Sequence, residues 1–463
     1  MKTYDIIVLG GGPGGYVAAI KAAQLGAKTA VIEKSRIGGV CLNVGCIPTK
    51  TLLRSAKLYR EVLDSAAFGI DIPDRAGVRV NWQGLMNRKT EVVDKIVGGV
   101  EKLLKFNGVD VYIGEGTVLD PHTVQVSGES APISCKNLIL ATGSSPAFPK
   151  IEGIEDGIKN GKVIDSTGAI QLKDLPKRLT ILGGGVIAVE FATLFSSLGT
   201  EVTMLQRSET ILKVLDEDVR DTMQRHLIQT GVRIVTGTKI DRIDGGSVVF
   251  EADGKTETVE ADYILASLGR KPNLKGFEAL GLETSKKGVV VDETMQTSVP
   301  GVYAIGDLAG KMMLAHVASA EGIAAVEAIM GHPDKLNYNK IPSCIYSFPE
   351  VGVVGYSEKA AAEAGYDVGT STFPLSANGK AVAEGETTGF VKIVYDKTYG
   401  EVVGVHIIAS HATDMIAEAA STMALEGTVY DLAKTVHPHP TLSEIVMEAA
   451  HGAVDKPIHL IKK

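Results

Sequence analysis

One sequence unit occurs twice in this chain, and that repeat constrains the fold more than any other feature. Leu9-Gly10-Gly11-Gly12 returns as Leu182-Gly183-Gly184-Gly185, and Leu25-Gly26 returns as Leu198-Gly199, at a constant offset of 173 residues. The apolar run at 28–32 likewise returns at 201–205. Each copy reads as apolar strand, glycine turn, helix and second apolar strand. Glycines at such a turn let the backbone approach a pyrophosphate, which sits against the N–H groups at the helix start. In the first copy Gly10, Gly12 and Gly15 make G-x-G-x-x-G, and Glu33 ends the second strand 23 residues after Gly10. A carboxylate there accepts hydrogen bonds from the two hydroxyls of an adenosine ribose. A lone glycine triplet would fit any glycine turn of an α/β protein. Two copies, with strand, helix and strand end in register, predict a dinucleotide at each.

The 463 residues suggest roughly three domains. A second pair of echoes, 139–143 and 264–269, follows apolar strands, and each is expected to close one nucleotide domain. These place Thr142 and Gly143 in the first and Gly269 in the second. A further strand at 302–305 ends in Gly306-Asp307. Asp307 can bond a polyol such as the ribitol of FAD, or simply cap the next helix. From about residue 341 the texture changes to strands at 351–354, 391–394 and 402–408 with helices at 415–425 and 442–451. The predicted class is therefore α/β, with two Rossmann-like dinucleotide-binding domains and a C-terminal α+β domain. The expected divisions are 1–145, 146–270, 271–340 and 341–463, the first two each holding one nucleotide unit. The stretch 59–108, with the only tryptophan, Trp82, reads as helical.

Net charge is −8, from 47 basic and 55 acidic residues, so a nucleic-acid partner is not expected. No apolar run approaches the length of a membrane span. An apolar strand at 4–9 leaves no room for a targeting peptide, and a cytoplasmic location is expected. The four cysteines, Cys41, Cys46, Cys135 and Cys344, are too few for a disulfide scaffold. Cys135 and Cys344 read as ordinary buried thiols. In a reducing compartment the close pair Cys41–Cys46 is catalytic or metal-binding rather than structural. Metal is the weaker choice, because a structural zinc site needs four ligands and no other cysteine or histidine lies nearby in sequence. The two sulfurs meet if Cys41 stands at an irregular helix start, and a helix N-terminus favours the thiolate.

These residues resemble a known family. Gly38-Gly39-Val40-Cys41-Leu42-Asn43-Val44-Gly45-Cys46-Ile47-Pro48-Thr49-Lys50 is similar to the redox motif of the dihydrolipoamide dehydrogenases, class I pyridine nucleotide–disulfide oxidoreductases. Gly10–Gly15 with Glu33, Ala141-Thr142-Gly143, Ala304–Asp307, Met313-Leu314-Ala315-His316 and His437-Pro438-His439-Pro440-Thr441-Leu442-Ser443-Glu444 extend the resemblance nearly end to end. It implies FAD bound at the first unit and NAD(H) or NADP(H) at the second, around Gly183, Gly185 and Glu190. It also implies a redox-active Cys41–Cys46 disulfide: Cys41 exchanges with substrate and Cys46 faces the flavin. Lys50 and Glu190 would pair near the flavin, and Ala315 and His316 would lie near it. His439, oriented by Glu444, would be the acid/base and would serve the other subunit of a homodimer, joined through the C-terminal domain. The implied reaction is oxidation of dihydrolipoamide on lipoyl domains of a 2-oxoacid dehydrogenase, acetoin or glycine-cleavage complex. Mercuric reductases and large thioredoxin reductases, which carry a C-terminal cysteine pair, fit less well, since no cysteine follows Cys344. A reductase of another small disulfide and a non-catalytic flavoprotein subunit are the remaining alternatives.

The second unit departs from the first at two positions. Ala188 replaces the third glycine, and Gln206 stands where Glu33 ends the first unit, with Arg207 next and Lys213 seven residues after Gln206. An acid at 206 would repel a 2′-phosphate and an arginine would bind it, so NADP(H) use is expected. The alternative is that Arg207 and Lys213 are solvated charges and Gln206 binds a ribose hydroxyl.

Overall fold

A computed structural model describes residues 2–461; residues 1, 462 and 463 of the expected first and last domains lie outside the described residues. Near the N-terminus, Thr3–Leu9 is a fully apolar strand from Ile6 onward. Its neighbours on the two sides are Thr29–Glu33 and Ile133–Leu140, both parallel. Asp110–Ile113 and Val302–Ala304 continue the parallel sheet, and Gly116–Asp120 and Thr123–Val126 add an antiparallel hairpin. Strands buried on both faces read as continuous apolar runs because helices cover each side. Val302–Ala304 comes from far along the chain, so the first sheet is completed only after the second nucleotide unit has been traversed.

The second unit repeats this plan. Arg178–Leu182 lies between Glu201–Leu205 and Tyr263–Ala266, all parallel, with Arg233–Val235 and Val163–Ile164 at the edges. The register repeats as well: Leu9 pairs Ile32, and Leu182 pairs Leu205. The third sheet, in the C-terminal region, is antiparallel, with Ser343–Ile345, Glu350–Gly355, Val402–Ala409, Phe390–Asp396 and Val368–Pro374 in spatial order. Helices Ala412–Ala424 and Glu444–Val454 cover it over a core that includes Ile407, Ile416 and Ile445.

The stretch 59–108 is not one helical segment. A helix runs Cys46–Leu63 and another Trp82–Phe106, and only two short turns lie between them. Gly69 takes a left-handed φ of +75°, and Pro73 cannot continue a helix. Asn81 caps the second helix by accepting from Gly84 N–H at 2.9 Å. The Trp82 indole N–H donates to Leu172 O at 2.9 Å, tying this helix to the second nucleotide unit. Among the described residues no helix is long and apolar enough to cross a membrane. None of their His, Cys, Asp and Glu side chains forms a group of three or more able to hold a metal.

Candidate active site

Both glycine turns are built from the same contacts. Gly10 N–H donates to Ile32 O at 2.8 Å and Gly183 N–H to Leu205 O at 2.9 Å. Gly10 has φ +113° and Gly183 φ +115°, a region that L side chains rarely enter. A Cβ on Gly10 would fall 2.2 Å from Ala141 O, and one on Gly183 would fall 2.3 Å from Ser267 O. Helices Pro13–Gln24 and Val186–Ser197 begin at Gly12 and Gly185, and neither start has a side-chain cap. The space over Gly185 is open, and over Gly12 the nearest atom is 3.9 Å from a Cβ position. Both turns thus leave room and helix-start N–H donors for a pyrophosphate.

At the first unit Glu33 is buried, and its carboxylate accepts Gly11 N–H at 2.8 Å and Ser35 N–H at 2.9 Å. It is thereby fixed at the strand end beside the turn. Thr142 and Gly143 lie on the loop after Ile133–Leu140; Thr142 Oγ1 donates to Asn273 O at 2.8 Å. Asp307 sits in the turn Gly306–Leu308, accepts from the Ser144 hydroxyl, and has Arg270 Nε at 3.8 Å. Gly269, with φ +112°, immediately precedes Arg270. Ala315 starts the helix Ala315–Ile329, which packs against Pro13–Gln24, and the exposed His316 has Nε2 2.8 Å from Pro342 O. Four participants were not legible in sequence. Ser144 and Arg270 clamp Asp307, and buried Glu321 accepts Gly306 N–H at 2.6 Å while Tyr338 OH donates to it at 2.7 Å. Ser144 and Arg270 directly follow singled-out glycines, which is their only signal.

The cysteines stand beside this turn. Cys41 is inside a short helix, Gly39–Val44, and Cys46 begins the long helix Cys46–Leu63. The irregularity therefore falls at Gly45, between the cysteines, and not at Cys41. A Cβ at Gly45 would lie 2.9 Å from Val40 O, so this break favours glycine. Both thiols are free, in adjoining helices separated by Gly45. The neighbouring Cys41 thiol and the Lys50 charge hold Cys46 below the ordinary thiol range against the cost of burial. The same pairing, with burial, raises Cys41. Cys46, at a helix start and one turn from Lys50, is thus the thiol whose surroundings favour the thiolate.

Lys50 lies on the same helix, one turn after Cys46. Its ammonium reaches both Glu190 oxygens, at 2.8 and 2.9 Å. Glu190, on Val186–Ser197, is buried and also accepts Tyr346 N–H at 3.1 Å. Lys50 Nζ sits 4.6 Å from the Tyr346 ring centroid, a cation–π contact. One ion pair therefore joins the redox helix, the second nucleotide unit and the C-terminal region. Tyr346 had no sequence signal, since it arrives from the third sheet's first loop.

His439 and Glu444 lie on that third region. His439 Nδ1 is 2.9 Å from Glu444 Oε1, and Glu444 Oε2 accepts Thr441 N–H at 2.9 Å. Burial pushes the Glu444 carboxyl up, but Thr441 N–H and His439 outweigh it and hold it below its usual range. The His439 side chain is 78% exposed, so its other nitrogen faces outward. Among the described residues it makes no hydrogen bond or ion pair with either cysteine. His437 differs from its neighbour: its side chain is only 4% exposed and packs against Glu418, which raises it. Cys135 is buried and pushed up to about 12, whereas Cys344, on an edge strand, is only half-buried and lies at about 11. Edge position explains why the expected burial of Cys344 is incomplete.

In the second unit Gln206 is half-buried at the end of Glu201–Leu205, while Arg207 and Lys213 are exposed.

Residues 4–322 match the model of the pyridine nucleotide-disulphide oxidoreductase family, and 341–450 match that family's dimerisation domain. A dihydrolipoyl dehydrogenase of Geobacillus stearothermophilus is 43% identical over 469 residues, covering 99% of this chain and 98% of its own. One from Mycoplasma pneumoniae is 40% identical, covering 97% and 98%. Among solved structures, the HOCl-induced flavoprotein disulfide reductase RclA from Escherichia coli, in its Cu(II) complex, superposes with a TM-score of 0.86 at 26% identity, covering 97% of this chain and 99% of its own. The repeated nucleotide unit, the cysteine pair at a helix start and these matches together make the chain a member of the pyridine nucleotide-disulphide oxidoreductase family, within its dihydrolipoyl dehydrogenases.

Proposed function

We propose that this protein oxidises dihydrolipoamide to lipoamide and passes the electron pair to a nicotinamide nucleotide. FAD at the first unit supplies the two-electron relay between the dithiol and the nicotinamide. The observation that carries the reading is the placement of the cysteine pair. Cys46 begins the helix Cys46–Leu63, one turn before the Lys50 that pairs with Glu190, and Cys41 lies in the short helix just before it. Cys41 attacks or releases a substrate sulfur only as a thiolate, so the reaction needs a base beside it to take and return the proton.

His439 suits that need. Glu444 holds its Nδ1, which leaves Nε2 to accept or return a proton. Its exposure and its position in a dimerisation domain support a homodimer in which each subunit lends His439 to the other's cysteines. Lys50 and Glu190 hold the redox helix against the second unit, and Glu33, Thr142, Gly143 and Asp307 line the first. The domain divisions at 145, 270 and 340 belong to the same reading. Lipoyl domains of a 2-oxoacid dehydrogenase, acetoin or glycine-cleavage complex are the partners that this chemistry fits, in the cytoplasm.

Complementation tests the shared site. Cys41→Ser and His439→Ala homodimers are each expected to be inactive yet to retain FAD. After subunit exchange at equal amounts, random pairing restores about a quarter of wild-type activity, from the one intact site of each mixed dimer. Proven exchange without recovery overturns the arrangement. An assay series with dihydrolipoamide, glutathione disulfide and other small disulfides tests the substrate, and the highest kcat/KM is expected with dihydrolipoamide.

A further inference from the structure

The two nucleotide units are so alike that their differences can be read position by position. After the second strand each chain loops back to the glycine turn. Gly38 N–H donates to Gly11 O at 2.8 Å, and Leu212 N–H donates to Gly184 O at 2.8 Å. Ile37 and Ile211 each fill the space beside that glycine, and each is fully buried. Both returning residues have positive φ, +99° at Gly38 and +50° at Leu212. The strand-end side chain faces the same place in both: Glu33 Cβ is 3.1 Å from a Cβ position on Gly11, and Gln206 Cγ is 3.2 Å from one on Gly184.

The chemistry at that place differs. Glu33 presents a fixed carboxylate, which suits two ribose hydroxyls and repels a phosphate. Gln206 is neutral and turns its amide to Thr210 O at 3.4 Å, a long contact that a ligand can displace. A cation comes next in both units, Lys34 and Arg207, so the loss of the carboxylate is the deciding change. Arg207 and Lys213 stand at the two feet of the returning loop. Both are exposed, and among the described residues neither makes an ion pair or a side-chain hydrogen bond. The loop's one acid, Glu209, turns aside: its carboxylate lies 3.2 Å from a Cβ position on Gly237.

We propose that Gln206 and Arg207 form a 2′-phosphate subsite, so that the second unit takes the 2′-phosphorylated nicotinamide coenzyme in preference to the unphosphorylated one. Gln206 admits the phosphate by removing the charge that would repel it. Arg207 binds it through a planar fork that matches two phosphate oxygens, and Lys213 adds a point charge. The proposal rests on reading the second unit as the nicotinamide nucleotide site.

Binding of two adenosine fragments to the FAD-loaded dimer tests it without turnover. By calorimetry at fixed, moderate salt, 2′,5′-ADP is expected to bind about tenfold or more tighter than 5′-AMP. Gln206→Glu is expected to reverse that order. Arg207→Ala is expected to erase the advantage of 2′,5′-ADP while leaving 5′-AMP unchanged. Equal or tighter binding of 5′-AMP by the wild-type protein overturns the proposal and leaves the nucleotide site standing. An unchanged gap in Arg207→Ala overturns the role of Arg207. If neither fragment binds, the nucleotide reading of the second unit fails and the proposal falls with it.

Discussion

The two nucleotide units share one backbone and diverge beyond the returning loop. In the first, the loop returns at Gly38 and leads into Cys41 and the helix Cys46–Leu63. In the second, it returns at Leu212 and leads into the helix Glu217–Gln229. Both helices gather negative charge at their start, where the dipole favours it. In the first unit the group there is the Cys46 thiol, whose surroundings favour the thiolate, with Lys50 one turn on. In the second it is Asp216, whose carboxylate accepts Lys392 Nζ at 3.0 Å from the third sheet. Lys392 is buried and also meets Asp218 at 2.7 Å and Glu358 at 2.9 Å. The same topological position thus carries redox chemistry in one copy and an inter-domain clasp in the other. A duplicated fold supplies equivalent geometry, and a few side chains decide its use.

The largest expected difference between the copies lies in the third residue of the glycine pattern. A Cβ on Gly15 would fall 1.8 Å from Gly10 O, a backbone atom that cannot move aside without opening the turn. Gly15→Ala is expected to cost about 3 kcal/mol of stability and to release FAD. Flavin content after purification and the thermal transition check it. Full FAD occupancy with an unchanged transition would break the comparison, since the first unit would then tolerate what the second already carries.

A smaller effect is expected at the helix starts. Cys46 is held below the ordinary thiol range in the reduced protein, so its thiolate absorbance is expected to persist to lower pH than that of a free thiol and to fade as pH falls further. Lys50 favours the thiolate, and Glu190 opposes it. Lys50→Met is therefore expected to move the midpoint up by roughly one unit, and Glu190→Gln to move it down. Opposite signs from two partners of one ion pair separate electrostatics from simple loss of packing. Shifts in the same direction would show that the pair acts by holding the helix in place.

The sequence carried the local devices and missed those that depend on distant segments meeting. The glycine turns, the cysteine pair and His439 with Glu444 are each written within a few residues, and Glu33 is marked by its place at the end of the second strand, 23 residues after Gly10. Their backbone requirements, positive φ at Gly10 and close approach at Gly15, leave a residue type that can be read. Tyr346, Glu321 and the Ser144–Arg270 clamp on Asp307 left no such mark, because each becomes meaningful only when another part of the chain arrives. The break between the helices ending at Leu63 and starting at Trp82 was signalled by Gly69 and Pro73, but helix-like apolar spacing on both sides obscured it. Cys344 looked like any buried thiol, since its place on an edge strand is a property of the sheet order.

The smallest expected effect returns to the glycine pattern from the other side. Ala188 occupies in the second unit the place of Gly15, and it is fully buried. Its methyl group already exists there, so helix Val186–Ser197 must stand off the turn at Gly183 by enough to hold it. Ala188→Gly removes one buried methyl, about 0.8 kcal/mol of transfer free energy, and adds about 1 kcal/mol of helix propensity cost. Together these predict a loss of roughly 1–2 kcal/mol, seen as a fall of a few degrees in the thermal transition. FAD content should not change, because the first unit is untouched. Nucleotide-fragment affinity should change little, since the N–H donors at the helix start stay in place. A gain in stability would mean that the helix is forced outward by the methyl and closes onto Gly183 when it is removed. The two turns would then differ by a strained alanine rather than by a relaxed spacing.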